Sequence, residues 1–375
     1  MALVKDDKRQ PRLPGRVLLV GPLPPPFGGA RVSFKLLVDE LTKLGSPEIS
    51  LVDVPIRKAT AEDANNAVEH QKTLIAVLRS IGAFREVDAV WIFCSAGFSM
   101  SYALIYLIGC RLAGIPVALR LFGGHPYARI RRLWTPIRKV VESILKISHV
   151  IIVQTQAGLR EFPVSIQERT RVIHGYREFP EIFANGSENG KHDGIVKFYY
   201  AGSISKEKGS FLLVDAFNSA RKILAKLGVR IELHLFGADL DDIKEYIGGS
   251  EYIHFHGMVR NDALLCTLGR FDALIFPSLY ENEGHSGTII EAMMAGKPVI
   301  CFDRPGPSEL IKDDVNGVVV PCGSEDQLVS AIVRLAKEPQ TRRRLSLQAR
   351  EDAQSFDVRI AVPRMLSLLA GELIQ

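Results

Sequence analysis

Short apolar runs alternate with longer amphipathic stretches along this chain, and the alternation runs through twice. In the first half the apolar runs are Arg16 to Gly21, Ile49 to Asp53, Asp88 to Phe93, Pro116 to Phe122 and His149 to Val153. Rich in Val, Ile and Leu and short of polar alternation, they read as strands covered on both faces. Segments with apolar residues at helical spacing, such as Arg31 to Leu44, fill the intervals. Such β-then-α alternation predicts a parallel sheet clothed in helices. The polar stretch Glu178 to Gly194, containing Asn185-Gly186-Ser187-Glu188-Asn189-Gly190, breaks the pattern and reads as a linker. It then resumes with Val196 to Ala201, Ile231 to Phe236, Tyr252 to Phe255, Phe271 to Phe276, Pro298 to Phe302 and Gly317 to Val320, and ends in a helical segment, Val358 to Ile374. The predicted organisation is a first domain over 1–180, a linker over 181–194, a second domain over 195–357 and a closing helix over 358–375. Two doubly wound α/β domains facing each other leave a cleft, where ligands bind preferentially.

Composition agrees with two folded domains. At 375 residues the chain exceeds what one core usually supports, and 47% hydrophobic with 24% charged residues is not the balance of a disordered chain. Five cysteines (Cys94, Cys110, Cys266, Cys301, Cys322) without a CxxC or His-rich spacing point to free thiols in a reducing compartment. Met1 to Gly15 has no apolar signal core, so a cytoplasmic location is expected, and the sequon Asn185-Gly186-Ser187 reads as a chance match in a loop. Val87 to Phe122 is apolar enough to suggest a membrane span. Gly97, Gly109, Arg111, Gly114 and Pro116 interrupt it, and strand, helix and strand is the better reading.

Chemistry concentrates between Phe276 and Ile300. An apolar strand runs into a polar loop that carries Glu283, His285, Ser286, Gly287 and Thr288. A helix bearing Glu291 follows, and Gly296-Lys297-Pro298 stops it. Ligands of open α/β sheets bind outside the carboxyl ends of the strands. This segment therefore offers carboxylate acceptors for sugar hydroxyls beside helix-start amides suited to phosphate. The segment resembles the donor-binding region of the retaining family 4 glycosyltransferases, which share the GT-B fold of two Rossmann-like domains across a cleft. That family has two glutamates with seven residues between them and a Gly-x-Pro-Val-Ile ending, matched here by Glu283, Glu291 and Gly296 to Ile300. The resemblance implies that Glu291 binds the ribose of a nucleotide-sugar donor and Glu283 touches the donor sugar. It also implies transfer with retention, and a closing helix that crosses back to the first domain.

Three further loops fit the cleft. Gly28 and Gly29 follow the first strand and precede a helix, where amides could face a diphosphate; a tight turn is the alternative. Without a GxGxxG, a dinucleotide oxidoreductase is disfavoured. In the second domain Lys208 stands at a helix start and is expected to neutralise the departing diphosphate. Ser203 replaces the arginine usual in the family, with Lys206 or Arg304 as candidate substitutes. His125, in Gly123-Gly124-His125 after another strand, is placed to contact the donor sugar or charge near the anomeric carbon; a loop histidine without a catalytic role is the alternative. No Asp-x-Asp ends a strand, so neither a metal nor another cofactor is expected.

Ala128 to Lys146 carries six positive charges against Glu142, with apolar residues at near-helical spacing. Two readings stay open for it: a basic amphipathic helix on an anionic membrane surface, or a domain helix with a solvated basic face. Nucleic acid is disfavoured as a partner, since no helix-turn-helix or aromatic platform accompanies the charge. The leading expectation is a glycosyltransferase acting on a glycan or lipid-linked acceptor, peripheral to a membrane's inner face. Against it stand a non-catalytic sugar-nucleotide-binding or scaffold subunit and a GT-B hydrolase or epimerase.

Overall fold

A computed structural model describes residues 14–24, 28–54, 82–95, 99–184 and 194–373. The first sheet comprises β1 (Arg16–Gly21), β2 (Glu48–Asp53), β3 (Ala89–Ser95), β4 (Val117–Phe122), β5 (Val150–Val153) and β6 (Thr170–Val172), all parallel, in the order β2-β1-β3-β4-β5-β6. The second comprises β7 (Ile195–Ala201), β8 (Arg230–Phe236), β9 (Ile253–Gly257), β10 (Ala273–Phe276), β11 (Val299–Phe302) and β12 (Gly317–Val320), also parallel, in the order β12-β11-β10-β7-β8-β9. The eleven strands expected from apolar runs are present. β6, only three residues long and bearing Thr170 and Arg171, had too little apolar content to be read from the pattern.

Strand order reverses between β1 and β3 in one sheet and between β7 and β10 in the other. At such reversals adjacent crossovers leave on opposite faces and open a crevice at the carboxyl ends. Gly28-Gly29 follows β1, Lys208 follows β7 and the glutamate loop follows β10, so topology gathers these motifs.

Helices cover both faces of each sheet. In the first domain Leu18, Val20, Val90 and Ile92 pack with helix Ser99–Ala113 on one side. On the other, Val17, Leu19 and Trp91 pack with Phe34 and Leu37 of helix Gly29–Leu44. The apolar stretch Val87 to Phe122 is thus a strand, a helix and a strand. No helix among the described residues is long and apolar enough to cross a membrane.

The closing helix, Val358–Leu373, does cross back. Its stripe Val358, Ala361, Val362, Met365, Leu366 and Leu369 is buried against the first domain. Where the chain crosses between the domains, Arg177 N donates to Phe356 O at 3.0 Å and Val358 N donates to Arg177 O at 2.8 Å. Phe183, within the region read as linker, is buried in the second domain's core on the short helix Glu181–Ala184.

One expectation needs correction. The basic segment is not one helix but two, Ala128–Arg131 and Thr135–Leu145, broken at Arg132 to Trp134. Pro136 lacks an amide proton and so sits in the first turn of the second helix rather than inside a continuous one.

Candidate active site

At the reversal point of the second sheet, the loops after β7 and β10 touch. Gly209 makes this contact feasible: it adopts φ +72°, and a Cβ there would lie 1.9 Å from the Pro277 carbonyl oxygen. Lys208 is thereby held over the glutamate loop. Its Nζ donates to Glu283 Oε2 at 2.7 Å and stands 4.5 Å from the Tyr280 ring centroid, while Ser278 Oγ donates to the same carboxylate oxygen at 2.5 Å. The two side chains remain accessible, at 26% for Lys208 and 13% for Glu283, as a ligand-facing ion pair requires. Ser203 is exposed, its carbonyl accepting from the Tyr200 hydroxyl at 2.6 Å. Lys206 Nζ stands over the Phe211 ring at 5.6 Å, and Arg304 donates to the Leu279 carbonyl at 3.0 Å.

Glu291 lies deeper, on helix Gly287–Met294. Its Oε1 accepts from Arg177 Nε at 3.1 Å and from Asn261 Nδ2 at 3.2 Å. Burial pushes this carboxyl above its usual range, with Arg177 and Asn261 acting in the opposite direction. Arg177 also donates to Ser33 Oγ at 2.9 Å and to the Tyr176 carbonyl at 2.8 Å. One guanidinium thus joins the helix after Gly28-Gly29, the interdomain crossing and Glu291. Ser286 caps helix Gly287–Met294 without a side-chain hydrogen bond, and Thr288 is half-buried in its first turn. Gly28 likewise caps helix Gly29–Leu44 without one. Sequence reasoning missed Arg177, Asn261 and Ser33, none of which lies in a recognisable motif.

The first domain reaches the same loop through Gly123-Gly124-His125. Gly124 N donates to the Asn282 carbonyl at 3.2 Å, and His125 N donates to Asn282 Oδ1 at 2.7 Å. A Cβ on Gly124 would meet the Glu283 carbonyl oxygen at 2.1 Å, so backbone touches backbone across the cleft. His125 pairs through Nδ1 with Glu161 of its own domain. A ring oriented by a carboxylate in this way is fixed in tautomer and direction.

His285 is fully enclosed. Its Nδ1 accepts from Gly175 N at 3.1 Å, its ring stacks on His174 with centroids 4.8 Å apart, and its Nε2 is 3.8 Å from Glu309 Oε2. Burial lowers its pKa, in keeping with a neutral ring that accepts a backbone hydrogen bond. The sequence placed His285 at the donor. The structure anchors it to the interdomain crossing, beside Glu309, whose oxygens accept from Gln156 N at 2.8 Å and Ala157 N at 3.0 Å in the first domain.

Two groups among the described residues bring three metal-ligating atoms together: His174, His285 and Glu309, and, on β8 and β9, Glu232, His234 and His254. In the first, His285 Nδ1 and both Glu309 oxygens already accept backbone hydrogen bonds, whereas the buried His285 Nε2 has no hydrogen-bond partner. The second lies away from the glutamate loop, on the edge pair of the sheet.

Comparison with known proteins bears on the family and the fold. Residues 183–352 match the family model described as glycosyl transferases group 1. The putative glycosyltransferase EpsD of Bacillus subtilis is 24% identical over 74% of this chain and 67% of its own length. The alpha-D-kanosaminyltransferase of Streptomyces kanamyceticus is 21% identical over 74% of this chain and 76% of its own. In three dimensions the chain is similar to Anabaena HepE solved with UDP, with a TM-score of 0.72 at 17% identity, covering 95% of this chain and all of that one. Sucrose-phosphate synthase from Thermosynechococcus elongatus gives a TM-score of 0.70 at 18% identity over 95% and 98% of the two chains. The fold is therefore GT-B.

Proposed function

The second domain belongs to the glycosyl transferases group 1 family, and on that premise we propose that this glycosyltransferase moves a sugar from a uridine-diphosphate donor to an acceptor hydroxyl with retention of configuration. The observation that carries the proposal is the Lys208–Glu283 ion pair at the reversal point of the second sheet, with Glu291 on the helix that follows the same loop. Lys208 and the first amides of helix Gly287–Met294 stabilise the charge that develops on the leaving diphosphate. Glu291 accepts ribose hydroxyls through the oxygen not held by Arg177 and Asn261. Glu283, fixed by Lys208 and Ser278, accepts hydroxyls of the donor sugar, with His125 opposite across the cleft. Positive charge supplied by side chains and helix starts removes the need for a divalent metal at the diphosphate. HepE solved with UDP and with UDP-glucose supports the choice of uridine, and retention rests on the family resemblance. The test is calorimetry with UDP, followed by a panel of UDP-sugars with an extracted glycan or lipid-linked acceptor and NMR of the product's anomeric centre. An inverted product sinks the stereochemical part, and the absence of nucleotide binding sinks the whole.

Glu291 makes the pH dependence specific. An ionised carboxylate is the stronger acceptor for ribose hydroxyls, so its contribution is full above the raised pKa and is lost as pH falls through it. Uridine affinity should therefore weaken at a higher pH than an ordinary glutamate, near 4.3, would give. Glu291→Gln should abolish that pH dependence while lowering affinity about tenfold at neutral pH. A wild-type affinity that weakens only where an ordinary glutamate titrates, or lower, would remove Glu291 from ribose binding.

The acceptor side is proposed to meet an anionic membrane surface. Trp134 at 73% exposed, Ile137 at 50% and Val140 at 58% form an apolar stripe on helix Thr135–Leu145 and its cap, flanked by exposed Arg131, Arg132 and Lys139. Amphipathic faces of this composition insert shallowly, and each nearby basic residue adds about 1 kcal/mol on anionic lipid. Flotation with phosphatidylglycerol vesicles is expected to carry the protein upward at low salt, and Trp134→Ser with Ile137→Ser to leave it in the soluble fraction. Equal flotation of both proteins would assign the stripe to something other than lipid.

A further inference from the structure

The donor reading leaves the diphosphate without the arginine usual at position 203, while Lys206 stands over the Phe211 ring and Arg304 donates to the Leu279 carbonyl. Resting on that reading, we propose that Arg177 is the second diphosphate ligand, supplied from the interdomain crossing rather than from the loop after β7. Its guanidinium lies where the two candidate phosphate-binding helices start. A Cβ built on Gly287, the first residue of one helix, would fall 1.7 Å from Arg177 Nη2, so the guanidinium fills the space that only a glycine there leaves. A Cβ on Gly29, the first residue of the other, would stand 3.8 Å from the same nitrogen.

This arrangement has the wrong sign for a purely structural contact. Helix N-termini carry partial positive charge and favour anions. Here an arginine only 7% exposed sets its guanidinium beside two of them, neither capped by a side chain, with Glu291 as the carboxylate that pairs with it. A nucleoside diphosphate between the helix starts would resolve the imbalance. Its oxygens would take hydrogen bonds from the amides of both helices and from the guanidinium. Arg177 donates to Glu291 through Nε and to Ser33 and Tyr176 through Nη1, while Nη2 is the nitrogen turned towards the two glycines. One side chain then performs two tasks: it orients the ribose carboxylate and grips the phosphates next to it.

Comparing UDP with uridine separates these tasks. Calorimetry on the full chain is expected to show that Arg177→Met weakens both ligands, uridine through Glu291, and that UDP loses about ten- to a hundredfold more than uridine does. Arg177→Lys, which keeps the charge but not the planar fork, should fall between and serves if the Met variant does not fold. Parallel losses for UDP and uridine would mean that Arg177 acts through Glu291 alone, and unchanged UDP affinity would show no role at all; either overturns the inference and leaves the donor reading standing. A wild-type protein that binds neither ligand overturns both.

Discussion

Lys208→Ala should slow sugar transfer about 100- to 1,000-fold, the usual consequence of removing one preorganised donor from developing negative charge. Lys208 is held by two contacts where the loops after β7 and β10 meet. Its Nζ pairs with Glu283, lies over the Tyr280 ring, and is lifted there by a glycine whose left-handed backbone lets two loops touch. The loss should fall on kcat more than on donor affinity, because charge on the diphosphate grows as the glycosidic bond breaks. Some of it will reflect Glu283 left without its cation, so Lys208→Arg is the companion variant. Keeping the charge, it should recover part of the rate if electrostatics dominates. Initial rates with a UDP-sugar decide the matter, with thermal unfolding as the check on folding. An alanine variant at wild-type rate would exclude Lys208 from the chemistry.

The second large effect is steric. Gly124→Ala introduces a Cβ 2.1 Å from the Glu283 carbonyl oxygen and 2.9 Å from its carbon, both backbone atoms of the opposite domain. Neither can yield without moving a loop that also carries Asn282, the partner of Gly124 N and His125 N. The domains must then part by roughly the overlap of the clashing atoms, on the order of 1 Å, and misplacement of that size costs about a hundredfold in rate. The expected result is a drop in kcat/KM of at least that size with a much smaller change in UDP affinity, since Lys208, Glu283 and Glu291, the residues proposed to hold the donor, all lie in the second domain. Solution X-ray scattering should show a larger radius of gyration for the variant in the presence of UDP. Normal kcat/KM would mean that turnover does not require this contact.

These cases also explain what could be read from the chain. Strands were legible because both faces are covered, so each is a local apolar run; β6 escaped because three residues with Thr170 and Arg171 leave no run to see. Lys208, Glu283 and Glu291 were legible because spacing within a loop and helix is local. Arg177 was not: the residue it meets lies 114 positions away, and nothing around it marks a buried cation. His285 illustrates the converse. Its place in the motif suggested the donor, whereas the Gly175 amide, 110 positions away, takes its Nδ1. The basic segment misled for another reason. Apolar spacing continued across Trp134, but Pro136 dictated a new helix start, and backbone chemistry outweighed periodicity.

The returning helix Val358–Leu373 reverses the order in which the protein can be finished. Chains emerge from the ribosome N-terminus first, and domains generally fold as units as they appear. Here the first sheet is synthesised early, yet the face bearing Val17, Leu19 and Trp91 receives part of its cover only after the whole second domain has been made. The second domain, continuous from Ile195 to Ala353, can close before its predecessor does. During that interval the nascent first domain presents an apolar face to the cell, and its completion joins the two halves in the same event.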